Sequence, residues 1–401
     1  MNRYTVRGSA EVEAVIATIL NDATAALART LAPESYRCVV LLGGYGRGEG
    51  GVVRIGGVER PHNNLDLLIV TRGGVSPDDL KRRADHVLAP IAQRHGIGID
   101  VGAIGEGHLR RSSCLVMWYD MRGGHQTLLG DDTFVPSLER FTAPRIVAFD
   151  VLNLLVNRGT LLLINDLILE RGTISPGEHQ LIVKHAMKAI IGYGDAWLFF
   201  RGAYHWSYVE KQRRMRAQAD TPQAFRTLYD EAMEFRFEPS YERHADLDLR
   251  EYMRELRSAL EPVHLQCEGV RLARDIRSWC DYLEPAFRHE VFDSLPAPRA
   301  CARKLLALSR ERRPSGLHST LARLGFRVSG PRAQLSILFP FVCYPSASGC
   351  TPAQRLLGAR DSSPSSLRRA YLHAWSRVGD LNFGSIARTL GLDLGEAPAP
   401  R

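Results

Sequence analysis

The chain has 401 residues, 45% of them hydrophobic and 24% charged, with a formal net charge of +8. That length predicts two or three domains with ample core, and the composition excludes disorder as the overall state. The charge is uneven: residues 296–378 hold 14 Lys and Arg against Glu311 and Asp361, a local +12, while the rest of the chain sums to −4.

In chain order, residues 10–31 place Val12, Val15, Ile16, Ile19, Leu20, Ala23 and Leu27 at helical spacing with one apolar face. Cys38–Leu42 is a short β-rich run that ends at Gly43-Gly44, and Leu65–Val70 and Ile97–Ile104 read as strands of the same kind. Pro77–Arg94 between them reads as a helix, with Ser76 or Asp78 as its N-cap. Residues 1 to about 140 therefore predict helix, strand, loop, strand, helix, strand, an α/β domain.

From about residue 144 the period lengthens. Val147–Glu170, Pro176–Arg201, Pro222–Phe235 and Leu247–Tyr282 predict a helical bundle. Ser294–Pro298 reads as a linker into the basic region, where Ala300–Arg312, Thr351–Leu357 and Ser365–Val378 are helix-like, and Gly395–Arg401 reads as a frayed tail. The expected division is 1–143, 144–293 and 294–401.

Seven cysteines, odd in number, widely spaced and without CxxC, point to neither a disulfide framework nor a zinc site and make a reducing cytoplasm the expected location. The N-terminus lacks the apolar stretch of a secretory signal, and charged or amide residues interrupt Val151–Leu169, so no membrane span is expected. The histidines are scattered without HExxH spacing, and no Gly-x-Ser-x-Gly elbow occurs, which gives hydrolase chemistry little support.

The most informative segment is Leu41-Leu-Gly-Gly-Tyr-Gly-Arg-Gly-Glu-Gly50, followed by Asn63-Asn-Leu-Asp-Leu-Leu-Ile-Val70. A strand ends in a double glycine, and a second strand opens with Asn64 and Asp66. Side chains at i and i+2 of a strand share a face, so these two point together. A third strand offers Asp100, and if it neighbours the second, three oxygen ligands converge. Glycines let backbone N–H groups approach phosphate, oxygen ligands suit Mg²⁺, and Arg47 either contacts phosphate or pairs with Glu49 or another acid. No Gly-Lys-Ser/Thr follows, so the turn is not a Walker A loop, and Gly44-x-Gly46-x-Gly48 is not a dinucleotide fingerprint.

Gly43-Gly44-x-Gly46-Arg47-Gly48-Glu49 with Asn64-Leu65-Asp66-Leu67 resembles the DNA polymerase β-type nucleotidyltransferase signature, a double glycine followed by Asp-hydrophobic-Asp/Glu-hydrophobic and a later third carboxylate, here Asp100. Tyr119–Asp131 resembles the end of minimal nucleotidyltransferase domains, so the likeness covers residues 37–135, and the helical part after it is similar to that of the kanamycin nucleotidyltransferase type. The resemblance implies an α+β nucleotidyltransferase domain with a mixed sheet, then a helical bundle and a basic helical C-terminal region. It implies transfer of an NMP group from an NTP to an acceptor hydroxyl with release of pyrophosphate. Asp66, Asp100 and Asn64 would hold Mg²⁺ or Mn²⁺, and Gly43, Gly44, Arg47 and Lys188 would bind the nucleotide. Within the helical part, Lys188, Asp195, Tyr204, Tyr208 and Lys211 resemble a nucleotide- or acceptor-facing helix pair.

The family places Asp where this chain has Asn64. Asn coordinates through its carbonyl oxygen but brings no charge, so Asp66 and Asp100 supply two formal negatives, with Glu49 as a further source if its loop folds inward. Two readings follow: an enzyme, impaired or not by Asn64, or a degenerate module that binds nucleotide or nucleic acid. In the basic region, Arg310–Arg313 and Arg368-Arg369 with Phe326, Tyr371 and Trp375 fit RNA or another polyanion, or a solvated or internally paired basic face. Lys211–Arg216 reads either as a phosphate contact or as a solvated helix end. The acceptor is left open between small molecule, protein and RNA.

Overall fold

The computed structural model describes residues 3–293, 317–347, 351–379 and 383–392. The expected linker at 294–298, the helix at 300–312, the Arg310–Arg313 cluster and the tail at 395–401 lie outside the described residues. The chain is α+β and divides into two compact units, residues 1–151 with 201–244, and residues 152–200 with 245–401. Residues 201–244, expected in the helical domain, thus belong with the α/β part.

In the first unit, α1 (Ala10–Thr30) starts where the Ser9 side chain accepts from the Val12 amide, and it buries Val12, Ile16, Ile19, Leu20, Ala23 and Leu27. Strand β1 (Tyr36–Leu42) runs into a single helical turn, α2 (Gly43–Gly46). A hairpin follows, β2 (Val52–Ile55) and β3 (Val58–Pro61), where sequence reasoning expected only a loop. Its Gly56-Gly57 connection has positive φ at both residues, the turn a two-residue hairpin favours. Next come β4 (Leu65–Thr71), α3 (Pro77–His95), β5 (Ile99–Gly105), α4 (Glu106–Arg111), α5 (Val116–Gly123) and β6 (Gln126–Gly130). Ser76 caps α3, and Gly96, with φ +63°, ends it.

The sheet order is β5-β4-β1-β6. β1 is antiparallel to both β4 and β6, and β4 is parallel to β5, so the sheet is mixed. The parallel pair needs a crossover, and α3 provides it. Val39 and Leu41 of β1 and Leu65, Leu67 and Ile69 of β4, alternate positions, pack in one core with Ile16, Leu20 and Leu27 of α1 and Leu80 and Leu88 of α3. After an excursion through the second unit the chain re-enters the first with α8 (Tyr208–Ala217) and α9 (Gln223–Phe237).

Between these stand α6 (Ala148–Glu170) and α7 (Pro176–Phe200), and after them α10 (Leu249–Arg271) and α11 (Trp279–Asp293). The stretch Leu247–Tyr282, expected to be helical, holds α10 and the start of α11. Ala273 has φ +49° and the Arg274 amide returns to the Gly269 carbonyl, which closes α10. Further helices cover Thr320–Val328, Pro331–Leu338, Thr351–Leu357 and Pro364–Val378. One helix among the described residues, α6, is long and apolar enough to cross a membrane, and 67% of its apolar window is buried inside the protein.

Candidate active site

The double glycine sits where only glycine fits. Gly43 has φ +65°, and a Cβ there would collide with Asp66 Oδ2. A Cβ on Gly44 would stand 3.0 Å from Arg236 Nη2 on the other side. The turn therefore touches two sets of charges, an acidic edge and a cationic nest.

The acidic edge comes from strand register. In the parallel β4/β5 pair Asp66 lies directly opposite Asp100, so both side chains leave the same face. Asn64, two residues earlier, lies over Gly98, whose missing Cβ leaves room for the amide. Asn64 Nδ2 donates to Asp100 Oδ2 at 2.8 Å. All three side chains are exposed. The amide orientation matters chemically. With its N–H₂ toward Asp100 it stabilises a carboxylate that has no cation. Turned over, its oxygen would face the same carboxylate, an arrangement favourable with a cation between them. Two carboxylates and one amide oxygen fit a hard divalent ion that keeps several waters. Among the described residues no group of three or more His, Cys, Asp and Glu side chains is placed to hold a metal.

Glu49 does not join this edge. It is buried, and its two oxygens accept from the Ser207 hydroxyl and from the Tyr208 amide at 2.6 Å. Ser207 Oγ in turn accepts from the Glu210 amide at 3.1 Å. The glycine loop is thereby fastened to the N-terminus of α8, where a carboxylate also complements the helix dipole.

The nest lies on the Gly44 side. Arg47 is 7% exposed, and its Nη2 donates to Asp120 Oδ2 at 2.7 Å. Its Nε and Nη1 are buried and find no hydrogen-bond partner among the described residues. The Tyr204 hydroxyl donates to the same carboxylate, 3.0 Å from Asp120 Oδ1. Three cations face the ring of Tyr208: Arg236 at 3.6 Å from its centroid, Arg47 at 4.4 Å and Lys211 at 4.4 Å. Lys211 is fully buried. Burial alone would raise the Tyr208 proton affinity, but Arg236, Arg47 and Lys211 outweigh it and hold the phenol below the usual tyrosine range.

Of the sequence-named residues, Gly43, Gly44, Asn64, Asp66, Asp100 and Arg47 come together in the first unit, as do Tyr204, Tyr208 and Lys211. Arg47 points into the protein and pairs with Asp120, the expected alternative of an ion pair with an acid, here not Glu49. Lys188 and Asp195 belong to the second unit. There Lys188 is exposed on α7. His185 is pushed down to about 3, chiefly by burial, then by Lys188 and Lys184. Of the Lys211–Arg216 run, Arg213 and Arg214 pair with Glu210, and Arg216 with Asp230. In the second unit Arg368 pairs with Asp166 and Glu170, Arg369 with Glu170, and Tyr371 and Trp375 are core residues, while Phe326 packs on Phe287. Sequence reasoning missed Arg236 and Asp120. Asp120 sits within the Tyr119–Asp131 stretch already singled out, but Arg236 carries no signal beyond a basic last turn.

No family model matches the chain, and no curated protein or solved structure matches it.

Proposed function

We propose that this chain is a metal-dependent nucleotidyltransferase that moves an NMP group from an NTP to an acceptor hydroxyl and releases pyrophosphate. The observation that carries the reading is the register pairing of Asp66 with Asp100 beside the Gly43-Gly44 turn. Backbone without side chains lets phosphate oxygens approach closely, and paired carboxylates beside it suit the cation that accompanies a triphosphate. Asp66, Asp100 and the Asn64 amide oxygen would hold Mg²⁺ or Mn²⁺. Such an ion, when bound, neutralises phosphate charge and helps align the nucleotide. The acceptor oxygen attacks the α-phosphorus in line and the β-phosphate oxygen leaves. Arg47 and Lys211 hold positive potential behind the turn, toward which the triphosphate is drawn.

A second reading rests on Asn64. With one amide in the ligand set the edge carries only two negative charges, which suits a module that binds nucleotide without turning it over.

Incubation with each NTP, Mg²⁺ or Mn²⁺ and a cell extract as acceptor separates the two. The enzyme releases pyrophosphate, and Asp66→Ala abolishes release while leaving the fold intact, because Asp66 is exposed. Nucleotide binding without release by the natural protein favours the module. Neither binding nor release removes both readings.

A further inference from the structure

Arg236 of α9 differs from the arginines around it. Arg47 is paired with Asp120, Arg213 and Arg214 of α8 with Glu210, and Arg216 with Asp230. Arg236 makes no ion pair with any described residue, and its Nε has no hydrogen-bond partner among them. Its place is nevertheless fixed. The guanidinium carbon stands over the Tyr208 ring, 3.6 Å from the centroid, and Glu49 ties the Tyr208 amide to the glycine loop at 2.6 Å. The Arg236 carbonyl packs on Gly51, where a Cβ would collide with it. A stacked guanidinium keeps its N–H groups in its own plane, directed away from the ring beneath. One of these nitrogens, Nη2, lies 3.0 Å from the place a Gly44 Cβ would take. The preceding residue, Gly43, lies against Asp66 Oδ2 in the same way, so Asp66 Oδ2 and Arg236 Nη2 are at most about 12 Å apart.

We propose that Arg236 binds the terminal phosphates of the triphosphate at the Gly43-Gly44 turn. The assignment rests on the nucleotidyltransferase reading and adds to it a binding residue from outside the glycine loop and the acidic edge. The charges call for such a residue. Asp66 and Asp100 bring two negative charges, which one divalent cation offsets, and Asn64 adds none. A triphosphate brings several more, and a second cationic group close to the turn is needed to neutralise them. The spacing fits, since with the α-phosphate beside the cation the rest of the chain extends toward Arg236. Arg47 is already paired with Asp120, whereas the Arg236 guanidinium stands at the turn without an acid. Its planar fork also matches two phosphate oxygens at once, which a lysine ammonium does not.

Calorimetric titrations of the full chain with each NTP, its NMP and inorganic tripolyphosphate, all with Mg²⁺ present, test the assignment. Arg236→Gln should weaken NTP and tripolyphosphate binding about 10- to 100-fold, the worth of a hydrogen bond to a charged group, and leave NMP binding unchanged. Arg236→Lys keeps the charge without the fork and should fall between the natural protein and Arg236→Gln. Matching thermal melts confirm that the variants fold. Triphosphate binding in both variants equal to that of the natural protein overturns the proposal, and so does an equal loss for NMP, the mark of a structural role. Unchanged binding in the variants beside pyrophosphate release by the natural protein removes Arg236 and keeps the nucleotidyltransferase reading. The Arg236-dependent loss in a protein that releases no pyrophosphate keeps Arg236 at the phosphates and favours the binding module. A natural protein that binds no triphosphate removes both.

Discussion

Each unit buries a charged cluster, and the two are built differently. In the second unit Glu268 and Arg271 are almost wholly enclosed, joined at 2.8 Å with further bonds from Arg271 Nε to both carboxylate oxygens. His264 Nδ1, Tyr344 and Tyr193 form a hydrogen-bonded chain beside them, with the two phenols 2.6 Å apart. There the buried guanidinium faces carboxylates directly, Glu268 in hydrogen-bond contact and Glu290 3.9 Å away, in the way a helical core tolerates ions. In the first unit Arg236, Arg47 and Lys211 gather on the Tyr208 ring, two buried Arg47 donors find no hydrogen-bond partner among the described residues, and the exposed Asp66 and Asp100 belong to the same unit. A matched cluster serves the fold. A gathering of cations on one aromatic ring beside glycine backbone is a candidate for chemistry or for a ligand.

The largest expected effect breaks the matched cluster. Glu268→Ala leaves Arg271 buried with only the more distant Glu290, 3.9 Å away, and should cost about 3–5 kcal/mol in a denaturant melt. A loss under about 1 kcal/mol would show that the two clusters do not differ in this respect. The second effect is pH dependence. Burial pushes His264 down to about 4 and His185 to about 3, below the unfolded value near 6.5. Both are neutral in the folded chain, so their stabilisation is complete above pH 6.5 and is lost as pH falls toward 4. Each contributes a slope of up to about 1.4 kcal/mol per pH unit in that window. Thermal melts from pH 7 to 4.5 read it, and the slope should diminish in His264→Gln. The smallest effect sharpens the acidic edge. Asn64→Asp replaces the bond to Asp100 with a like-charge contact at an exposed site, a loss of about 0.5 kcal/mol without divalent cation. Mn²⁺ should restore it, and a melt insensitive to Mn²⁺ would argue against a cation at this edge.

Much of the first unit was legible in the sequence. The helix starts at Ser9 and Ser76, the strand ending at Gly43 and the shared face of Asn64 and Asp66 all follow from local rules of capping, propensity and alternation. The hairpin at 52–61 was legible too, through its Gly-Gly connection, but the surrounding glycines made it read as loop. The break after Arg271 was not, because Ala273 takes a left-handed conformation that its residue type does not announce.

Periodicity by itself determined where the strands and most helices fall and that Asn64 and Asp66 project together, since these depend on neighbours within one turn or one pleat. Only the tertiary structure decided that Asp100 stands opposite Asp66, because register between strands 34 residues apart is set by the packing of α3 across the sheet. It alone decided that Arg47 turns inward to Asp120, that Glu49 is spent on α8, and that Arg236 arrives at Gly44 after the chain has passed through another unit. Such contacts depend on where distant segments fold together, which no local spacing encodes.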